Sequence, residues 1–510
     1  MSPTPSQARM SPNPSHAQAS QTTFIVDLVQ VITAFSISMT HFNMSASMAF
    51  SGVFTEQLTS EGADPVLPTS QVSWIVSTFT IGTMVGFIAS SYVNPLLGMV
   101  RVMQVFSPLV VAGWLLMAFG DSFWVILAGR MLVGVSIGVC RGLSVTHVGE
   151  ISSVSVRGYL TTLLIVSGCL GITCTFIFGW LLGWRYTCLV IGIAPMTLQF
   201  LTSLMLPRSA RWLISKGHSL EEAKRSMRFY HGQDYNVDKQ IEAIQQSLGE
   251  AHKHDATPLQ VLFQLKHRHN LIPFSLILAL YVFFVFSGAF TATAFAPVVF
   301  KDVGGFTNPY LGSIFVGIAR TITTILFSVI MERFERKTLL KINGVLGAVA
   351  CLVCGCYFYY SEQLIDYGWI ALVAILVIVC SMSAGISPLM SVLLSELLPN
   401  TIRAELSGVC MLFYGTANFT MVFSFPLAVS SLGMYGVFWF FTAMHSLVAL
   451  GLITRTLIGY GRLLFTDGRT DSIGESMRSR SNIRLPLKAF TLKALKAFHD
   501  DSATEKHSDR

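Results

Sequence analysis

Apolar residues fall along this chain in blocks too long for the strands or helices of a soluble core. A helix that crosses a bilayer needs about 20 mainly apolar residues. Twelve stretches meet that requirement, over residues 24–48, 72–94, 102–120, 124–147, 159–183, 186–206, 272–297, 309–331, 339–361, 366–395, 404–430 and 433–457. Between the sixth and seventh the chain turns polar, and SKGHSLEEAKRSMRFYHG and DKQIEAIQQSLGEAHK carry helical periodicity there. The pattern predicts an all-α membrane protein of twelve transmembrane helices in two six-helix halves. The expected organisation is a tail at 1–23, a first half at 24–206, a linker with short helices at 207–271, a second half at 272–457 and a tail at 458–510. The first tail is rich in Ser, Pro and Gln and lacks signal-peptide grammar, so it is expected to be disordered.

Composition agrees and narrows the function. Of 510 residues, 52% are hydrophobic and 12% charged, which excludes an ordinary soluble enzyme or nucleic-acid binder. The net charge of +7 is informative by location. One alternating set of connections carries Arg101, Arg157, Arg208, Arg211, Lys216, Lys224, Arg225, Arg333, Arg336, Lys337 and Arg403. The opposite set carries Glu56, Glu61, Asp64, Asp121, Asp302, Glu362 and Asp366, with few bases besides Arg185 and Lys301. The positive-inside rule puts both termini and the linker in the cytoplasm, and the plasma membrane is the expected location. All nine cysteines lie in hydrophobic stretches, against a disulfide framework or a metal site. No phosphate-binding loop is present, no nucleophile and base converge in sequence, and no cofactor is implied.

The two halves repeat. Glu150 to Arg157 follows the fourth block and Glu396 to Arg403 follows the tenth, with the same spacing. Repeated halves joined by a cytoplasmic linker are the architecture of alternating-access transporters, which hold a solute near the midplane between them.

Several motifs resemble the sugar porter family of the major facilitator superfamily, and within it the animal facilitated glucose and trehalose transporters. They are Gly129-Arg130 with Gly134 and Gly138, Glu150 with Arg157-Gly158, Trp184-Arg185, the segment PRSARWLISKGHSLEEAKR, and ERFERK at residues 332–337. The resemblance runs from about residue 24 to 457. It implies a uniporter-like carbohydrate transporter whose partners are a small polar solute and the bilayer. It also implies gating by Arg130, Glu150, Arg157, Glu332, Arg333, Arg336, Glu396 and Arg403, whose charges would latch the halves at helix ends. The first-half loop PLLGMVR departs from the family pattern, with Pro95 and Val100 where an acid and a base are expected.

Carried over by spacing, the family's sugar-contact positions are mostly not polar here. The fifth-span amide falls at Ile165. The seventh-span signature becomes FVFSGAF, keeping Ser287 and Gly288 but giving Phe284, Val285 and Phe290 for amides. The eighth-span asparagine becomes Arg320, the tenth-span acid Ser383 and its tryptophan Ser391. Asn418 is retained, and Tyr414 replaces an amide one turn before it. Each lost polar contact costs on the order of 1 to 3 kcal/mol for a hydroxylated solute, so either the solute or its pose departs from the family's. Cavity candidates are Ser287, Arg320, Ser383, Ser391, Asn418 and Arg141. Arg141 and Arg320 lie mid-membrane, where an arginine costs roughly 2.5 to 3.5 kcal/mol. An organic anion is therefore an alternative solute, and a non-transporting sugar receptor is an alternative role. Proton-driven members carry a first-span acid near His41 to Asn43, and none is present, which points to facilitated diffusion. The basic segment from Arg478 suggests an amphipathic helix at 484–498 on the inner leaflet.

Overall fold

The computed structural model describes residues 14–58, 67–153, 156–233, 235–252, 268–303, 308–330, 336–386 and 403–449. Every regular element among them is helical. Eight helical stretches are long and apolar enough to cross a membrane, and three of these, Ser70–Phe119, Arg157–Ser203 and Val409–Ala449, have 50, 47 and 41 residues. At 1.5 Å per residue each would be roughly 60 to 75 Å long, about twice the hydrocarbon thickness. Glycines with positive φ fold each of them in two, Gly98 at 73°, Gly183 at 75° and Gly433 at 72°. The folds bring the passes to eleven, and Pro14–Leu58 with its 45 residues is a further one. The two-half, twelve-span layout expected from the sequence is the fold observed.

The first helix begins at Pro14, ten residues before the expected 24. Proline suits the first turn, where its missing N–H costs nothing, and the Ala, Gln and His residues after it are compatible with a helix. The linker contributes Ala210–Ser215, Leu220–His231 and Val237–His252. The expected helix at 484–498 lies outside the described residues.

Polarity is turned inward in the first span. Leu28, Val31, Ile32 and Phe35 are exposed, as suits a face against lipid, whereas Gln30, Thr33, Ser36, Thr40 and Asn43 are buried. The buried groups are bonded. Asn43 Nδ2 donates to Ile191 O at 3.0 Å and Asn43 Oδ1 accepts from Trp114 Nε1 at 2.9 Å. Gln30 Nε2 donates to Tyr230 O at 2.9 Å and so ties the first span to the linker.

Spans two and four approach almost backbone to backbone. A Cβ on Gly86 or on Gly138 would stand 2.9 Å from the other glycine's Cα, and the pair Gly82 and Gly134 repeats this one turn away. Small residues at four-residue spacing permit such contact in lipid, where packing rather than hydrophobicity joins helices. The same glycines carry part of the family resemblance, and this is their physical use. Across the halves, the first span meets the seventh, the fifth meets the eighth and the second meets the eleventh.

Candidate functional site

Spans four, seven and ten are each interrupted. The fourth stops as Phe123–Arg141, turns at Gly142 and Leu143, and resumes as Ser144–Ile151. The seventh runs as Arg268–Phe286, Ala289–Ala294 and Ala296–Lys301, and breaks at Gly288 with φ 82°. The tenth passes from Gly368–Ser381 into a wider π turn, Met382–Ile386. Non-helical backbone at membrane depth is tolerated where protein buries it or where it lines a cavity.

Of the six cavity candidates, Arg141, Ser287 and Ser383 lie at these breaks, Arg320 bonds beside one of them, and Asn418 lies in the eleventh span. Arg141 ends the first piece of span four, and its Nη1 donates to Met44 Sδ at 2.7 Å. Arg320, on Pro309–Ile330, donates from Nη1 to Thr293 Oγ1 at 3.3 Å, just beyond the seventh-span break. The two arginines come from opposite halves. The Tyr414 ring packs 5.5 Å from Tyr281 and 6.0 Å from Phe284. Asn418, one turn beyond Tyr414, is buried, and its Oδ1 has no hydrogen-bond partner among the described residues. The Ser287 hydroxyl donates to Phe284 O at 2.8 Å.

Ser383 donates within its own span, to Val379 O at 2.9 Å, and Ser391 lies outside the described residues. Ile165 is half exposed. Tyr414 stands where the family resemblance implies an amide, and its ring packs against Tyr281 and Phe284. Met44 and Thr293 were not singled out, because a thioether and a hydroxyl in an apolar run carry no signal of an arginine partner.

Arg130 is fully buried. Its Nη1 donates to Ser47 O and its Nη2 to Ser51 Oγ, each at 2.9 Å, while Phe50 and Phe79 lie under the guanidinium at 5.2 and 5.6 Å. The first two spans thus answer this arginine with hydroxyl, carbonyl and ring faces, its buried Nε has no hydrogen-bond partner among the described residues, and no described carboxylate pairs with it.

The two halves are clasped on the face opposite the linker. Tyr310 Oη donates to Glu56 Oε2 at 2.7 Å and accepts from Gln57 Nε2 at 2.8 Å, and Lys301 Nζ stands 3.8 Å from Glu56 Oε1. Gln57 Oε1 in turn accepts from Trp184 N at 2.7 Å. Below the clasp, Gly52 faces the Ala294 carbonyl and the Pro297 ring so closely that a Cβ there would collide. Sequence reasoning used Glu56 and Lys301 only to orient the chain. Their unlike charges at the ends of spans one and seven were the available signal.

On the linker face, Glu150 Oε2 accepts from Ser209 Oγ at 2.6 Å, and Arg211 Nε lies 3.9 Å from Oε1. Trp212 lies over Gly98 and donates from Nε1 to Pro95 O at 3.0 Å, so the atypical PLLGMVR loop serves as the dock for the linker's first helix. A cavity of about 150 Å³ remains between them, lined by His147, Glu150, Arg208 and Arg211 among others. Arg157 is exposed and donates to Ser152 O at 3.4 Å, and among the described residues Glu150 meets Ser209, Arg211 and, at 4.0 Å, His147 rather than Arg157. Further along the linker, Lys224 Nζ pairs with Asp238 Oδ1 at 2.8 Å. That hydrogen bond raises the lysine pKa and lowers the aspartate's. Glu332, Arg333 and Glu396, and the side chains of Arg336 and Arg403, lie outside the described residues.

Residues 24–457 match the family model described as sugar (and other) transporter. The chain is 28% identical over 416 residues to a facilitated trehalose transporter of Polypedilum vanderplanki, covering 81% of this chain and 82% of that one. It is 28% identical over 432 residues to the facilitated trehalose transporter of Apis mellifera ligustica, covering 83% and 84%. Among solved structures, the inward open conformation of the xylose transporter of E. coli superposes with a TM-score of 0.66 at 21% identity, over 84% of this chain and 95% of that chain. The partially occluded inward open form gives 0.65 at 20% identity, over 85% and 99%.

Proposed function

The chain belongs to the sugar transporter family, as a sugar porter of the major facilitator superfamily, and from that premise we propose how it works. It carries a sugar across the membrane by facilitated diffusion, with the two six-helix halves rocking about a central site. The observation that carries this reading is the clasp of Glu56, Gln57, Lys301 and Tyr310. On that face it joins the halves by a few polar contacts, which exchange for water at little net cost, beside apolar contacts such as Trp74 with Phe423. Such an interface opens and closes as a unit. With the clasp closed on the face opposite the linker, solute would enter or leave by the linker side. The distribution of basic residues supports a cytoplasmic linker and termini, and the plasma membrane is the location that fits a facilitated sugar carrier.

Gating on the cytoplasmic side falls to Glu150 and the repeated charges Arg157, Glu332, Arg333, Arg336, Glu396 and Arg403. Arg130, held by Ser47 and Ser51, anchors the fourth span to the first. Because those partners do not titrate in the physiological range, the arginine gives no handle for proton coupling. In liposomes holding the purified protein, labelled trehalose or glucose, or a charged derivative of either, equilibrates down its gradient at a rate unchanged by a protonophore. Uptake that collapses when the proton gradient is dissipated contradicts facilitated diffusion.

A further inference from the structure

Gln57 lies at the outer end of span one, inside the clasp, and both ends of its carboxamide are bound. Toward its own half it brackets the turn between spans five and six. Gly183, with φ 75°, swings the next N–H out of the helical ladder, and Gln57 Oε1 accepts that Trp184 N–H at 2.7 Å. One turn before the glycine, Gly179 O accepts from Gln57 Nε2 at 2.9 Å. Gly179 packs on Val53, and this close approach of spans one and five lets a glutamine reach the backbone. A side-chain amide offers the donor and acceptor of a peptide group, so it stands in for a partner that the turn removes.

The second N–H of Nε2 crosses to the other half and donates to Tyr310 Oη at 2.8 Å. A phenol has one proton to give. With Gln57 donating to that oxygen, the proton is directed to Glu56 Oε2, 2.7 Å away, in a charge-assisted bond. Tyr310 is buried, and its own N–H is held by Asn308 Oδ1 at 2.9 Å. Lys301 Nζ, 3.8 Å from Glu56 Oε1, is half exposed, so water screens that contact more than the tyrosine bond.

Resting on the reading that the halves rock about a central site, we propose that Gln57 is the positioning residue of the outer gate. Its two bonds to the first-half backbone hold it in place whether the gate is open or closed, and its third orients the Tyr310 hydroxyl toward Glu56. The turn between spans five and six is thereby coupled to closure against span eight. Glutamate at this position keeps the acceptor for Trp184 but loses both donors, and it sets a second acceptor before the tyrosine proton.

The test is hydrogen exchange read by mass spectrometry on the intact protein in nanodiscs, as protection factors over residues 52–58, 179–187 and 309–313. Tyr310→Phe is expected to lower protection at 52–58 roughly two- to tenfold, the worth of one net hydrogen bond, and to leave 179–187 as in the wild type. Gln57→Glu is expected to lower protection in all three segments, and the double variant to lose nothing further at 309–313. Protection at 309–313 that is unchanged in Gln57→Glu, or that falls additively in the double variant, overturns the proposal and leaves Gln57 a brace within its own half. Tyr310→Phe remains decisive if the glutamate variant does not fold. In it, 52–58 as protected as in the wild type, or 179–187 loosened as well, overturns the proposal. Counterflow of labelled glucose and trehalose on the same preparation tests transport separately. The expected pattern of protection without counterflow sustains the role of Gln57 in closing that face and removes the transport reading.

Discussion

Gly288 has φ 82°, in the left-handed region, and its missing side chain leaves room for the ring of Phe441. A side chain in that conformation costs about 1 to 3 kcal/mol before any clash is counted. Gly288→Ala is therefore expected to lower the unfolding temperature in detergent, and adding Phe441→Leu is expected to recover the clash but not the backbone strain. An alanine variant that melts with the wild type would show that the seventh span is not broken there. The glycine was visible in the sequence as part of FVFSGAF, but its function was not, because the reading treated the segment as a continuous helix with lost amides. Arg320 shows the opposite case. Its cost in lipid and its place at a family contact position both marked it, whereas its neighbour Thr293 carries no sequence signal. Tyr414 is legible as a substitution, and only packing shows its ring against Tyr281 and Phe284.

At the scale of elements, apolar blocks and charge alternation gave the helices, because a bilayer imposes length and polarity rules that short stretches of sequence obey. Boundaries at Gly98, Gly183 and Gly433 followed from length. The early start at Pro14 did not, since a polar helix outside the lipid has no apolar run to announce it. Contacts between the linker and the bundle were equally hidden. The docking of Trp212 on the Pro95 carbonyl uses a backbone group that no residue code displays. Linker stability should depend on pH through Lys224 and Asp238. The aspartate pKa is lowered, so its contribution is present above the ordinary carboxylate value and is lost as pH falls through the depressed one. The lysine pKa is raised, so its contribution is present below the ordinary amine value and is lost as pH rises through the elevated one. Amide protection factors in Leu220–His231 and Val237–His252, which divide out the intrinsic pH dependence of exchange, should then be highest across the neutral range and fall in acid. Lys224→Gln or high salt is expected to remove the acid dependence, since an exposed pair is readily screened. Equal acid sensitivity in that variant would assign the effect to another group.

For the whole molecule, the repeat of Glu150 to Arg157 in Glu396 to Arg403 announced two halves, and family membership over residues 24–457 fixes what such halves do. What the sequence withheld was the closed face. Glu56, Gln57, Lys301 and Tyr310 come from distant points in the chain, and only packing brings them together. The central claim is that one solute site is exposed in turn to each side by opening that clasp and closing its counterpart. Counterflow tests it most directly. Liposomes preloaded with unlabelled solute, without ATP and with a protonophore present, should transiently accumulate labelled solute above its equilibrium level, because a site returning loaded moves label against label. A channel or a receptor gives no overshoot, and its absence for trehalose, glucose, glucuronate and glucose 6-phosphate alike would contradict the account.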